Sequence, residues 1–191
     1  MRRLFQDRRG ATAVEFALIT PALLTLLLGT FEYGLAQYMR AVLEGAMQQA
    51  GRNSSLQKSA NSQTGIDTSV REQVQNVLPG ATVTFDRKNY STFSDVQTPE
   101  DFTDTNANSR YDSGECFVDE NDNRQWDSDV AKIGQGGAND VVLYTATITY
   151  SSALPVSAFG FSPMRQLTAS TTLRNQPYSS QSSRNAVLIC G

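Results

Sequence analysis

The chain of 191 residues contains no histidine. That removes the commonest general base and the usual nitrogen ligand for zinc or iron. Serine and lysine nucleophiles remain, but neither stands in a recognisable catalytic motif, so the sequence is read as that of a non-enzyme. Cysteine is scarce too, with only Cys116 and Cys190. Positive charge is nearly missing from residues 95–129, where two arginines face 11 of the protein's 19 carboxylates. So acidic a segment argues against a nucleic-acid surface and for a cation site or a solvated loop. Charge of either sign is absent from Phe16 to Phe31.

That uncharged run is the strongest signal present. Extended to Ala11 and Ala36 it covers 26 residues, enough to cross a hydrocarbon core of roughly 30 Å at about 1.5 Å per residue. Arg2, Arg3, Arg8 and Arg9 precede it. The positive-inside rule then keeps the N-terminus cytoplasmic and sends residues beyond about 40 outward. A secretory signal peptide is the competing reading. The run is longer than such a segment needs, and no small-x-small cleavage site closes it.

Glu15 is out of place in a plain anchor. A carboxylate inside hydrocarbon costs roughly 2.5–3.5 kcal/mol and calls for a partner or a role. Glu32, near the outer end, can reach headgroup water. Pro21 removes one backbone donor and bends or loosens the helix, as tolerated membrane-helix prolines also do.

Gly10-Ala-Thr-Ala-Val-Glu15-Phe16 resembles the prepilin-peptidase processing site of type IV pilin-like proteins. The longer string GATAVEFALITPALLTLLLGTFEYG is similar to the TadE-like minor pilins, or pseudopilins, of the tight-adherence (Flp) pilus. The resemblance implies cleavage between Gly10 and Ala11 by a membrane-embedded aspartic peptidase. Glu15 would then pair with the free N-terminal amine of a neighbouring subunit. Other pilins and pilus assembly platform proteins are the implied partners, and the inner membrane is the implied location, with the C-terminal domain periplasmic or carried into an extracellular pilus. Arg174-Asn175-Gln176-Pro177 resembles a further segment frequent in that family, with Gln176 in place of glutamate.

Three regions follow: a leader at 1–10, a membrane and pilin-type helix at 11–52, and an outer α+β domain at 53–191. Val42, Leu43, Ala46, Met47 and Ala50 recur at helical spacing and form a face for the domain or for another subunit. A polar linker covers Asn53–Gln63. Asp67 is the expected N-cap of a short second helix carrying Val70, Val74, Val77 and Leu78, ended by Pro79-Gly80. Strands are expected at ATVTFD (81–86), at DVVLYTATITYSS with Val142, Tyr144, Ala146, Ile148 and Tyr150 on one face, and at Leu167–Leu173. The expected fold is a roughly three-stranded antiparallel sheet with an insert at 99–130 between its first two strands.

The insert repeats itself. PEDFTDTNANSRYDS (99–113) aligns without gaps on GECFVDENDNRQWDS (114–128), with seven of 15 positions identical. Asp104, Asn106, Asn108, Arg110, Asp112 and Glu115 fall at positions 1, 3, 5, 7, 9 and 12 of an EF-hand-type loop, where alternate oxygen side chains converge on one calcium ion. Position 7 supplies a backbone carbonyl, so Arg110 is compatible. The second copy has Asp119, Asn121, Asn123, Gln125 and Asp127, but Val130 at position 12. Asp129 or water would have to substitute, making this second calcium site the weaker. Ser109 and Arg124 stand where position 6 normally has glycine. Only three residues separate the loops, which excludes flanking EF-hand helices and leaves tandem bare loops, similar to dockerin-like or thrombospondin-type repeats. Cys116 and Cys190, both on the expected outer side, are read as a disulfide.

The expected function is that of a minor pilin or pseudopilin, acting in assembly or at the tip of an adhesive pilus. The alternatives are an unprocessed single-span anchor carrying a calcium-binding module, and a pseudopilin of a type II secretion system.

Overall fold

The computed structural model describes residues 10–54, 63–152, 154, 156–160, 162–176 and 186–190. The basic leader, most of the polar linker, Pro177 and the tail at 178–185 lie outside the described residues, as does Phe161. One helix, α1 (Ala11–Ser54), opens the chain without interruption at Pro21. Its first amide bond returns to Gly10, from Val14 N at 3.2 Å. Three threonines in the apolar half donate to carbonyls one turn back: Thr20 to Phe16, Thr25 to Pro21 and Thr30 to Leu26. A hydroxyl without water nearby needs such a partner, so these threonines suit a helix in hydrocarbon.

The outer half of α1 changes character. Met39, Leu43, Ala46, Met47 and Ala50 are buried, three or four residues apart along one stripe with Ala46 and Met47 side by side, so the helical face expected from the sequence meets the chain's own domain. The short helix α2 (Gln63–Gln75) packs beside it through Val70 and Val74. Asp67 is not its N-cap, because the helix already begins at Gln63. The Asp67 carboxylate instead reaches β1 (Thr82–Tyr90) and accepts from the Arg87 guanidinium.

The main sheet has four antiparallel strands rather than three. The order is β3-β1-β4-β5, with β3 at Lys132–Ile133, β4 at Val141–Ser151 and β5 at Met164–Arg174. Three of them were legible from alternation; β3 is two residues long and has no alternation to read. β1 also runs four residues past Asp86, pairing through Tyr90 with Val141. Val142, Tyr144, Ala146, Ile148 and Tyr150 of β4 do line the buried face, together with Ala81 and Val83. A separate two-stranded ribbon joins β2 (Phe117–Asp119) to β6 (Val187–Ile189). The insert therefore leaves the sheet after β1 and returns to it at β3.

The turn into β4 has no room for a side chain at Gly136. Its φ is +67°, and an added Cβ would lie 2.5 Å from Asp140 Oδ2 and 2.8 Å from Asn89 Cβ. Asn89 in turn donates to the Lys132 and Gly134 carbonyls, holding β3 against β1.

Candidate functional site

Two features carry chemistry, and they lie at opposite ends of the molecule. The first is the inner part of α1. From Ala11 to Phe31 all but one residue are exposed, and Phe16, Leu18, Ile19, Leu26 and Phe31 are each more than 60% exposed. Among the described residues one helix is long and apolar enough to cross a membrane, with a mean hydropathy of 1.9 and none of that window buried. Glu15 lies on this bare surface. Glu32, at its outer end, behaves otherwise. It accepts from Ser152 Oγ at the end of β4 and stands 3.8 Å from Arg165 Nε of β5. The sheet thus meets the helix where the apolar run stops, and Glu32 faces the domain.

The second feature is the insert. The first loop, 104–115, wraps its backbone around Asp104, whose Oδ1 accepts from Asn108 N (3.2 Å) and Oδ2 from Ser109 N (2.7 Å). The Asn106 and Asn108 amides converge on Asp112 Oδ2, each at 2.7 Å. Ala107 and Ser109 take up φ near +60°, so Ser109 enters the left-handed region where glycine is usual. The second loop repeats this. Asp119 accepts from Asp122, Asn123 and Arg124 N, Asn121 and Asn123 converge on Asp127 Oδ2, and Asp122 and Arg124 have positive φ.

Glu115 closes the first loop. Its Oε1 accepts from Thr105 N and Oγ1 (2.8 Å each), and its Oε2 from Asp112 N (3.0 Å). In the second loop the equivalent bonds come from Glu120 N (2.9 Å) and Asp127 N (3.0 Å), and they end on Glu100. Glu100 precedes the first loop in sequence, yet it fills the closing position of the second. The backbone follows suit: Glu115 N donates to Asp112 O, and Glu100 N to Asp127 O. The signal was present in the repeat, where Glu100 aligns with Glu115. Counting forward along the chain led instead to Val130 and Asp129. Val130 is buried against Tyr90 and Val141, and Asp129 pairs with Lys88 Nζ at 2.8 Å and accepts from Tyr90.

Between the loops the repeats meet about an approximate twofold axis. Thr103 N donates to Cys116 O and Val118 N to Asp101 O, both at 2.8 Å, flanking an antiparallel bridge between Phe102 and Phe117. Tyr111 and Trp126 stack at 4.9 Å, and Phe102 and Phe117 meet them edge-on. Glu100, Glu115 and Asp119 are among the few buried acids, at 1%, 5% and 2% exposure. Burial pushes the Glu100 carboxyl above its ordinary value, against the pull of the two backbone amides. The amides of Asp112 and Thr105 hold Glu115 below its own, and the Asn106 and Asn108 amides do the same for Asp112.

Cys116 and Cys190 are joined in a disulfide. It ties the insert to the end of the chain beside the β2–β6 ribbon. Among the described residues, no group of three or more Asp, Glu or Cys gathers tightly enough to hold a metal ion. The oxygen set read for each loop contains two or three carboxylates and completes itself with asparagine and backbone carbonyls.

The bare helix is the part of the chain that matches a known family. Residues 10–52 match the family model for TadE-like proteins. The N-terminal segment is TadE-like. The match opens at Gly10 and runs to within two residues of the end of α1. It spans both the exposed apolar half and the half that packs on the domain. No curated protein and no solved structure matches the chain. The TadE-like segment thus stands apart from the domain behind it, whose insert is described by its own geometry.

Proposed function

We propose that the protein is a minor pilin or pseudopilin of a tight-adherence pilus, structural rather than catalytic. A prepilin peptidase would cut between Gly10 and Ala11. The helix would then hold the protein in the inner membrane, with its N-terminus cytoplasmic and the domain periplasmic, until assembly draws it into a filament with other pilins. The observation that carries this reading is the TadE-like match over residues 10–52, laid on a helix whose inner half none of the described residues covers. A carboxylate in hydrocarbon needs a cation. Among the described residues Glu15 lies on the exposed apolar surface of α1 with no ion pair, and the amine of a cleaved neighbour would supply a cation. The test is Glu15→Ala in cells that assemble the pilus. The variant should be inserted and cleaved but missing from sheared filaments. Normal incorporation would refute the role given to Glu15.

The insert is proposed to bind two calcium ions. Asp104, Asn106, Asn108, the Arg110 carbonyl, Asp112 and Glu115 would hold the first. Asp119, Asn121, Asn123, the Gln125 carbonyl and Asp127 would hold the second, with Glu100 in place of Asp129 at the closing position. What supports this is that the side chains at the same odd-numbered loop positions converge in both loops, on Asp112 in the first and Asp127 in the second. With Glu100 included the two sets match, so the sites are proposed to be of similar rather than unequal strength. An unprocessed anchor bearing the same loops would retain Met1, which separates it from the pilin reading.

A further inference from the structure

The mutual arrangement of the two repeats carries a consequence independent of any bound ion. We propose that Glu100 is the positioning residue of the second loop, supplied from in front of the first, and that the two loops open and close as one unit distinct from the main sheet. It goes beyond the calcium reading, and only the second arm of its test rests on that reading.

The coupling follows from chain connectivity. Glu100 holds the Glu120 and Asp127 amides of the second loop. Two residues later Phe102 bridges to Phe117, and Thr103 donates to Cys116 O. Cys116 follows directly on Glu115, which holds the Thr105 and Asp112 amides of the first loop. Releasing the Glu100 carboxylate therefore loosens the strand that seats Glu115, and releasing Glu115 loosens the strand that begins the second loop at Asp119. Each clamp is a buried carboxylate that accepts from two backbone amides, which makes its loss costly. The Tyr111–Trp126 stack adds a contact made by one residue from each loop.

Backbone hydrogen exchange on the full-length protein in detergent micelles tests this, first with the calcium removed by chelator. Glu100→Gln keeps the size but replaces one acceptor oxygen with a donor. It should speed exchange about tenfold or more at Glu120 and Asp127, and also at Thr105 and Asp112 in the other loop. Glu115→Gln should do the reverse, with the same four amides affected. The β4 amides should keep their protection in both variants, as should all sites in the control Asp101→Asn. Acceleration confined to the loop that each glutamate clamps would overturn the proposal. So would deprotection of β4 together with the loops, which would make Glu100 a determinant of the whole fold. The second arm repeats the measurement in millimolar calcium. If wild-type exchange ignores calcium while the reciprocal pattern persists, the ion reading fails and the closure stands.

Discussion

Asp67 accepts from both terminal nitrogens of Arg87 and from the Tyr144 hydroxyl, and the guanidinium lies 4.3 Å over the Tyr144 ring. The network pins α2 to β1 and β4, and both ionic partners are mostly covered. Removing one side of a buried pair strands the other. Asp67→Ala should therefore cost about 3 kcal/mol, read as a lower denaturation midpoint of the full-length protein. Tyr144 and Tyr90 point to the alkaline limb. Burial raises both phenols, and Asp67 and Asp129 respectively raise them further; Tyr90 is pushed up to about 12. Between the ordinary value of 10.0 and the folded value, the unfolded chain has lost protons that the native one keeps. Stability is thus full below pH 10 and declines as the pH rises towards 12. Tyr90→Phe should flatten part of that decline, and phenolate absorbance of the native protein should lag behind that of the unfolded one.

At the scale of elements, the ribbon of β2 and β6 pairs over only three residues on each strand, and the disulfide that adjoins it closes a long stretch of chain. Reduction should remove about 4 kcal/mol by the loop-entropy estimate, seen as a lower melting temperature and faster proteolysis near Val187. The cysteine pairing was legible because two cysteines allow one intramolecular bridge. Amphipathic elements were legible for the usual reason: α1 and β4 each bury one face at a fixed period, and Leu43, Met47, Tyr144 and Ile148 sit where that period puts them. The short elements were not. β3 and β6 are held by partners distant in sequence, Asn89 among them, and no local pattern announces them. Asp67 looked like a cap because its type suits one, but its carboxylate is used in tertiary contact. Glu100 escaped because loops are read forward, while this one is closed by a residue 19 positions before its first position, Asp119.

For the whole molecule, a TadE-like helix carries a four-stranded domain whose acidic insert is folded on its own twofold axis. If both loops bind calcium with constants of about 10⁻⁴ M, millimolar calcium should add about 1.4 kcal/mol per site. The melting temperature of the full-length protein would rise by several degrees and return on chelation. An unchanged melting temperature would remove calcium from the account. The central claim lies at the other end, where the match to TadE-like proteins begins at Gly10, the residue whose carbonyl starts α1. The N-terminal residue of the protein recovered from membranes that contain the prepilin peptidase tests it most directly. A chain beginning at Ala11 is the predicted result, and a chain still beginning at Met1 would contradict it.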